Sequence, residues 1–543
     1  MNEYDYIIVG AGSAGCVLAH RLSESGEHRV LLLEAGGSDR SPWIQVPVGY
    51  GLTFHDPRFN WVYHTDPDPA LDGRAPYWPR GKVLGGSSSI NAMVYVRGQR
   101  EDYEDWAAAG NPGWGWDDVL PYFRKSEDND LGASPYHGVG GPLRVSSFER
   151  QVHPLCHTFL QTCAALGFPR TADFNGAQTE GAGIWQMTIR NGLRASTANA
   201  FLRPALRRPN LTLRTHAQAT RVLFQGRRAV GVEFLHRGQR VQARARREVI
   251  LSGGAVNSPQ LLQLSGVGDA GALQALGITP VHHLPAVGQG LQDHLCVSYY
   301  FKSKVPTLND ELYPLWGKVK AALRYAAARR GPLSMSVNQA GAFVRSRPGL
   351  ARPDMHLYFN PLSYNASAVR PGKLTHPDPY SAFLLAVNAC RPTSRGEVRI
   401  TSADPLAKPA IRTRFLSSPE DVQAVLDGTA LVRRIAAARP LADVVECELT
   451  PGPQTQDDAA RLADFRQRAG SVYHACGTCA MGPDPARAVV DASLRVHGLQ
   501  GLRVIDASIF PTVTSGNTNA PTIMVAEKGA EMVLRAAAGR AAA

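Results

Sequence analysis

Apolar positions at the start of the chain change their spacing in a way that predicts a strand, a helix and a second strand. Residues 4–9 form a run of β-branched and aromatic side chains long enough for a buried strand. Apolar residues then recur at helical spacing, at Ala14, Val17, Leu18 and Leu22. A second apolar run covers residues 30–33, so the pattern predicts the start of an α/β fold.

The loop between the first strand and the helix has the G-x-G-x-x-G spacing, with Gly10, Gly12 and Gly15. The three glycines suit a tight turn, close approach of the backbone to a pyrophosphate, and close helix–strand packing. Glu34 ends the second strand 19 residues after Gly15, near the offset at which an acid accepts from a ribose hydroxyl. This context predicts a dinucleotide site for FAD or NAD rather than NADP.

Later segments of the chain mix strand and helix patterns. Short strands are predicted at 211–214, 220–224 and 249–251, and residues 387–400 are predicted to form a turn that leads into a strand. Helical patterns cover residues 419–438 and 457–469. A chain of 543 residues exceeds the size at which one core stops growing, so two domains are expected.

Two polar strings near the C-terminus carry candidate chemistry. His474 opens the first, residues 474–482, and Asn517 lies in the second, residues 516–522. An imidazole is the side chain whose ordinary pKa lies closest to neutrality, so it suits a base that takes a hydroxyl proton. A neutral amide can stabilise a developing alkoxide. Together with the dinucleotide loop, the pair suggests a redox enzyme that takes a proton and a hydride from an alcohol.

A second loop, residues 79–91, is rich in glycine and serine. Its backbone amides and hydroxyls suit a flat or anionic group, although composition alone equally describes a flexible surface loop. This loop with its continuation to Gly98, residues 254–268 and the two C-terminal strings together resemble the glucose–methanol–choline (GMC) oxidoreductases. The chain looks closest to the choline-dehydrogenase-like and aliphatic alcohol dehydrogenase branch.

The resemblance implies a fold and a domain division. It implies an α/β chain, α+β overall, with a Rossmann-like FAD-binding domain assembled from residues 1–95, 210–295 and 470–543. Residues 96–209 and 296–469 would form the substrate domain, an antiparallel sheet flanked by helices. Within it, residues 305–335 are expected near the active-site entrance, as a lid.

The resemblance also implies site residues. His474 takes the position of the catalytic base, and Asn517 takes the second catalytic position. The residues expected to contact the cofactor are Gly10, Gly12, Ser13, Ala14, Gly15, Glu34, Ala35, Gly85, Gly86, Asn91, Ala92, Val94, Ala219, Asp506, Ala507, Asn519 and Thr522. Some relatives attach the flavin through a histidine just before the asparagine of the glycine–serine loop. Here that residue is Ile90, so non-covalent FAD is expected.

The charge and hydropathy of the chain indicate which kinds of binding partner are expected. The net charge of +12 comes from dispersed arginines without a basic stripe interleaved with aromatics, so a nucleic-acid partner is not expected. The apolar runs are too short to span a bilayer, and no signal segment precedes the first strand. A cytoplasmic enzyme is expected, with peripheral contact with an anionic membrane as an alternative, while the oligomeric state stays open.

Cysteines and histidines offer two further motifs, and both have simpler interpretations. Cys476 and Cys479 have C-x-x-C spacing without the strand–motif–helix context of a redox dithiol, so packing residues are expected. His153 and His157 lie four residues apart without an evident third ligand, so no metal site is expected.

Three alternatives remain at this stage. The electron acceptor is expected to be a quinone, as in the dehydrogenase branch, with an O₂-dependent oxidase of choline, aryl or furfuryl alcohols as the alternative. A light-driven fatty-acid decarboxylase of the same fold would make use of Cys390. A non-catalytic flavoprotein would not need His474 and Asn517, and both are present.

Overall fold

The computed structural model describes residues 2–364 and 376–541. Its helices are α1 Ser13–Leu22, α2 Pro42–Gln45, α3 Tyr50–Thr53, α4 Arg100–Ala108, α5 Trp116–Ser126, α6 Pro154–Ala165, α7 Arg203–Ala205, α8 Gly254–Leu264, α9 Ala270–Ala275, α10 Leu308–Leu312, α11 Leu315–Ala328, α12 Pro419–Ala436, α13 Leu441–Val444, α14 Asp458–Arg468 and α15 Asn519–Ala541. Short 3₁₀ turns occur between them, including Gly86–Ser89 and Pro332–Ser334.

The strands pair into two large sheets and several small ones. In chain order they are β1 Asn2–Val9, β2 Val30–Leu33, β3 Tyr63–His64, β4 Tyr77–Trp78, β5 Glu127–Asn129, β6 Leu143–Val145, β7 Gly181–Ile184, β8 Ile189–Arg190, β9 Leu193–Arg194, β10 Leu211–Arg214, β11 Ala217–Gln225, β12 Arg228–His236, β13 Gln239–Leu251, β14 Val267–Gly268, β15 His282–His283, β16 Gln289–Leu291, β17 Leu295–Ser303, β18 Ala340–Val344, β19 Met355–Asn360, β20 Ala382–Ala389, β21 Gly396–Arg399, β22 Ala410–Arg412, β23 Val445–Thr450, β24 Gly470–Ser471 and β25 Leu502–Val504.

The first large sheet has the order β10-β2-β1-β13-β12-β11, and β25 pairs with the C-terminal part of β13. Strands β10, β2, β1, β13 and β25 run parallel, whereas β11, β12 and β13 form an antiparallel meander. Parallel strands need helical crossovers that cover the sheet, and α1 and α15 pack on each other there. The predicted strand–helix–strand unit and the Rossmann-like character of this part are therefore confirmed.

The second large sheet is antiparallel throughout. Its order is β23-β17-β20-β19-β18-β7, with β24 also paired to β17. Helix α12 packs against β20 so closely that a Cβ on Gly428 would lie 3.2 Å from a methyl group of Val387. This sheet and its helices confirm the predicted fold class, while the exact domain boundaries stay a prediction.

Two predicted strands were too short, and the first of them, residues 220–224, lies inside β11. Residues 249–251 are only the end of β13, which begins at Gln239. The pattern hid this strand because alternate residues of its first half, including Arg240 and Arg244, are exposed on the hairpin with β12. The helices predicted at 419–438 and 457–469 correspond to α12 and α14, and each end agrees within two residues.

The glycine loop after β1 is tightly constrained. Gly10 has a φ of +101°, which disfavours any other residue, and its amide donates to the carbonyl of Leu33 at 2.8 Å. A Cβ on Gly15 would lie 1.8 Å from the carbonyl oxygen of Gly10. The first turn of α1 can therefore cross the end of β1 only because position 15 has no side chain.

The first prediction tests this crossing. Gly15→Ala is expected to lower the free energy of unfolding by about 1–3 kcal/mol, because the new methyl group overpacks against a fixed backbone carbonyl. Urea denaturation followed by circular dichroism measures the change. The matched control is Gly539→Ala in α15, where nothing lies within 4 Å of the added Cβ. Equal stability of the two variants would contradict the proposed close contact.

Candidate active site

One cavity of about 1470 Å³ extends from the glycine loop to the C-terminal strings. Its wall includes Leu251 at the end of the first large sheet and Tyr358 of the second. Both His474 and Asn517 also line it. The cavity therefore joins the predicted cofactor loop and the predicted catalytic pair in a single space.

The two glycine-rich loops meet at one end of this cavity. A Cβ on Gly86 would lie 2.6 Å from the Cα of Gly12, and the amide of Gly85 donates to the carbonyl of Ala11 at 2.8 Å. Bare backbone on both loops leaves room for a flat or phosphorylated group to approach closely. The glycine–serine loop is thus a packed part of the site rather than a free surface loop.

The N-termini of helices α1 and α15 converge at the same place. The Ser13 hydroxyl donates to Oδ1 of Asn519 at 2.8 Å, which joins residues 506 positions apart. Each helix N-terminus carries free amides and the positive end of a helix dipole, which favour an anionic group such as a pyrophosphate. This arrangement fits a dinucleotide cofactor.

Glu34 lies at the end of β2 on the cavity wall. Its carboxylate accepts from the amides of Ala11 at 2.9 Å and Gly36 at 2.8 Å. Burial raises the pKa of Glu34 to about 7, although the two amides oppose the shift. The carboxylate therefore ties the glycine loop to β2, and oxygen lone pairs remain for the ribose contact that the sequence predicts.

Most of the predicted cofactor residues line the cavity. They are Gly10, Gly12, Ser13, Ala14, Glu34, Ala35, Gly86, Asn91, Ala92, Val94, Ala219, Asp506, Ala507, Asn519 and Thr522. Gly15 and Gly85 do not reach its wall: the first packs against Gly10, and the second supports the loop through Ala11. Ile90 lies on the wall and is buried.

Arg194 is a buried supporting residue that sequence patterns did not single out. Its guanidinium donates to Oδ1 of Asn91 at 2.8 Å and to the carbonyls of Ser88 at 3.2 Å and Ile44 at 2.9 Å. Among the described residues it has no carboxylate partner, and burial lowers its pKa to about 9. Its sequence neighbours include Arg190, Asn191, Ser196 and Thr197, so no local pattern distinguished this arginine from a solvated one.

The predicted catalytic pair is in contact. The side-chain amide Nδ2 of Asn517 lies 2.9 Å from Nε2 of His474. The other nitrogen of His474, Nδ1, lies 2.8 Å from Nδ1 of His294. His294, His474 and Asn517 therefore form a chain of three hydrogen-bonded side chains. His294 was not predicted as a site residue.

The hydrogen-bond partners determine the tautomers along this chain. His294 Nε2 meets the carbonyl oxygen of Cys390 at 2.9 Å, and a carbonyl only accepts, so this nitrogen carries the proton. Burial lowers the pKa of His294 to about 4, so the ring is neutral at pH 7 and its Nδ1 is an acceptor. His474 therefore donates from Nδ1 to His294, which leaves the Nε2 lone pair facing the amide of Asn517.

Burial also keeps His474 neutral. Its pKa is lowered well below 6.5, first by burial and then by the neighbouring rings of His294 and His356 and by Arg80. A neutral imidazole with a lone pair on Nε2 is the form that can accept a proton. The Oδ1 atom of Asn517 has no hydrogen-bond partner among the described residues.

Asp293 positions the backbone of both histidines. One oxygen of its carboxylate accepts from the amides of His294 at 2.9 Å and His474 at 2.7 Å. The other accepts from the indole of Trp78 at 2.7 Å and from the Ser471 hydroxyl. Burial raises the pKa of Asp293 to about 6. Asp293 and His474 are 181 positions apart in the sequence, which explains why no spacing pattern indicated this role.

The cavity next to His474 has an apolar and aromatic wall. Cys296, Tyr358, Leu384 and Ala386 form a buried cluster there, and Val472 packs against it. All five residues line the cavity. This wall suits an organic substrate that places a small polar group near His474.

The other candidate motifs have structural roles. Cys476 and Cys479 are buried free thiols, and burial raises the pKa of both. Cys390 is also a buried free thiol, and its carbonyl orients His294. Nδ1 of His153 caps helix α6 by accepting from the amide of Leu155 at 3.3 Å. Among residues 2–364 and 376–541, no group of three or more metal-binding side chains comes together.

Comparisons with known proteins agree with this geometry. The GMC oxidoreductase family models match residues 4–296 and 392–526. The mitochondrial choline dehydrogenase of Mus musculus is 47% identical over 542 residues, which cover 98% of this chain and 89% of that protein. An alcohol dehydrogenase (acceptor) of Pseudomonas putida is 44% identical, with 98% and 96% covered. The crystal structure of a pyridoxine 4-oxidase from Mesorbium loti has a TM-score of 0.87 at 32% identity, with 97% and 98% covered.

The chain belongs to the GMC oxidoreductase family. This membership confirms the sequence-based expectation of an FAD-dependent enzyme that oxidises alcohols. It agrees with the cavity, in which a dinucleotide cradle and a neutral imidazole face the same space.

The second prediction concerns His294. His294→Ala removes the acceptor for Nδ1–H of His474, so the imidazole can rotate or change tautomer, and the rate of flavin reduction by alcohol is expected to fall about 10²-fold. Stopped-flow absorbance under anaerobic conditions measures the rate.

A conservative variant controls for loss of packing. In His294→Asn, the amide oxygen can take the place of Nδ1, so part of the rate is expected to return. Equal rates for the Ala and Asn variants would mean that the ring of His294 has only a packing role.

Proposed function

We propose that this protein oxidises a primary alcohol to the aldehyde, with His474 as the base and Asn517 as the residue that orients the alcohol oxygen. The contact between Asn517 and Nε2 of His474 supports this proposal above all, because it places a proton acceptor and an amide on the same point of the cavity. Bound FAD supplies the acceptor for the hydride.

The chain provides the proton chemistry. When an alcohol binds at the pair, Nδ2 of Asn517 moves its hydrogen bond from Nε2 of His474 to the alcohol oxygen, which frees the Nε2 lone pair to accept from the hydroxyl. His294 holds the tautomer of His474 that this requires. As the proton leaves, the hydrogen bond from Asn517 stabilises the developing negative charge on the oxygen. The buried apolar wall excludes water, which strengthens this hydrogen bond.

The substrate class follows from the wall beside His474. Apolar side chains and the tyrosine ring of Tyr358 favour an aliphatic or aromatic alcohol. The mouse relative is a choline dehydrogenase and the P. putida relative an alcohol dehydrogenase, so choline and simple primary alcohols are the informative test substrates. A quinone is the proposed electron acceptor, and the proposed location is the cytoplasm with peripheral membrane contact.

The cofactor is proposed to be held without a covalent bond. Ile90, which lies on the cavity wall, has no nucleophilic atom. The glycine cradle, the two helix N-termini and Glu34 offer non-covalent contacts along the cavity.

The third prediction tests the base. His474→Ala is expected to lower the rate of anaerobic flavin reduction by about 10²–10⁴-fold, because the neutral imidazole that accepts the hydroxyl proton is lost. The visible absorbance of bound FAD should be unchanged, since the hydrogen bonds of His474 join it to His294, Asp293 and Asn517.

The matched control is His236→Ala, at the end of β12. It removes the imidazole of a residue that pairs across the sheet with Ala217 but does not itself line the cavity, and the reduction rate should stay at the wild-type value. A His474→Ala enzyme that reduces its flavin at a near-wild-type rate would exclude the assignment of the base.

The fourth prediction concerns attachment of the cofactor. Precipitation of the holoenzyme with acid is expected to release all of the flavin into the supernatant, because no covalent bond retains it. Absorbance of the supernatant and fluorescence of the denatured chain on a gel measure the two fractions. A yellow, fluorescent protein band would show that a residue other than Ile90 forms a bond to the flavin.

A further inference from the structure

An exposed apolar face on helix α11 is the most unusual surface of the described chain. Trp316 is 82% exposed, Leu315 74% and Leu323 66%, and Val319 is also exposed. These four residues share one side of the helix, since 315, 319 and 323 are each four positions apart. The buried side of α11 carries Ala321 and Tyr325 instead.

Basic residues surround this face. Residues 313–344 contain Lys318, Lys320, Arg324, Arg329 and Arg330 but no aspartate or glutamate. In the part of the chain that the structure describes, none of the five forms an ion pair with a carboxylate. On the helix surface, Lys320 and Arg324 lie beside the apolar side, four positions apart. The helix thus combines exposed tryptophan and leucine with uncompensated positive charge.

The same helix forms part of the wall of the active-site cavity. Lys318 and the preceding Leu312 line the cavity, and Ala321 packs in a cluster with Leu312 and Leu362. The turn Pro332–Ser334, which follows the helix, packs on α11 and supplies the cavity-lining Leu333. Residues 305–335, which the family resemblance places near the entrance, therefore border the cavity through Leu312, Lys318 and Leu333.

A second exposed aromatic residue adjoins this rim. Trp43 is 50% exposed and lines the cavity. The segment after it, residues 47–49, packs against the turn at 332–334. Exposed indole groups at a cavity border are typical of surfaces that sit at a membrane–water interface, where the apolar ring enters the lipid and the N–H stays in water.

We infer that α11 docks this enzyme onto an anionic lipid bilayer, with the rim of its active-site cavity facing the membrane. Apolar side chains enter the boundary between headgroups and acyl chains, while Lys320 and Arg324 meet anionic headgroups. The consequence of this docking rests on the proposed function. If the enzyme oxidises an alcohol and passes electrons to a quinone, both molecules would reach the cavity from the lipid phase.

Charge favours a membrane over a second copy of this chain. A symmetric dimer would bring the same patch of each chain together and would oppose basic residues to basic residues. Such a pairing would bring Lys320 and Arg324 of each chain to the interface without a carboxylate opposite them. An anionic leaflet, in contrast, supplies opposite charge along the entire helix.

Binding of the FAD-loaded enzyme to sucrose-filled vesicles tests the inference. The enzyme is expected to sediment with vesicles in which about one lipid in three is phosphatidylglycerol, and much less with pure phosphatidylcholine. Binding should weaken as the salt concentration rises. Absence of binding to the anionic vesicles would overturn the inference.

Two double variants separate the apolar and the charged contribution. Trp316→Ser with Leu323→Ser is expected to abolish binding to anionic vesicles. Lys320→Gln with Arg324→Gln is expected to reduce it about 25-fold, since each basic residue near an anionic surface contributes about fivefold. Vesicle binding at the wild-type level in both variants would overturn the inference.

Matched controls carry the same chemical changes elsewhere. Leu131→Ser replaces a half-exposed leucine of a distant turn, and Arg244→Gln with Arg487→Gln removes two charges from exposed arginines. These controls should bind as the wild type does. All variants should reduce a soluble dye with alcohol at the wild-type rate, because none of the changed side chains lines the cavity.

Two further measurements distinguish other outcomes. Analytical ultracentrifugation of the wild type and the Trp316→Ser/Leu323→Ser variant reports self-association: a wild-type dimer that the variant loses, without vesicle binding, would identify a second copy as the occupant. Failure of the proposed function appears separately, as a flavin that no alcohol reduces in vesicle-free solution.

Discussion

The buried carboxylate of Asp293 is the contact on which the catalytic geometry depends. One of its oxygens accepts hydrogen bonds from the backbone amides of His294 and His474. The other accepts hydrogen bonds from the side chains of Trp78 and Ser471. A buried acceptor of this kind is costly unless its partners remain in place, so the two histidines are held together by the penalty of separating them. The orientation of the imidazole pair, and thereby the free lone pair of His474, follows from this arrangement.

The two ends of the chain are likewise joined by a hydrogen bond between residues far apart in the sequence. The contact between Ser13 and Asn519 brings the N-termini of α1 and α15 to one point, while the strings around His474 and Asn517 reach the same cavity from the C-terminal side. Cofactor binding and proton transfer therefore share one framework. A change in the packing of α1 on α15 would disturb both functions, even though neither helix carries the base.

The cavity has a different character at its outer rim. Near His474 the wall is closed and apolar, whereas α11 presents tryptophan, leucine and lysine to the outside. Burying the face of α11 inside the protein would require other elements to cover it, and the described chain provides none. The inner side of α11 lines the cavity, and its outer side suits a lipid surface. In the proposed orientation, substrate would therefore enter the cavity from the membrane.

The amino-acid sequence by itself determined the strand–helix–strand unit, the glycine loop and the identity of His474 and Asn517. These features depend on local spacing, such as the glycines at 10, 12 and 15, or on strings that resemble a known family. Only the tertiary structure revealed that β13 begins at Gln239, that Gly15 and Gly85 support the cavity without lining it, and that Arg194 holds Asn91. It alone brought His294 and Asp293 to His474, the proposed base. Hydrogen bonds between residues about 180 positions apart leave no periodic trace in the sequence, because their partners are selected by packing rather than by spacing.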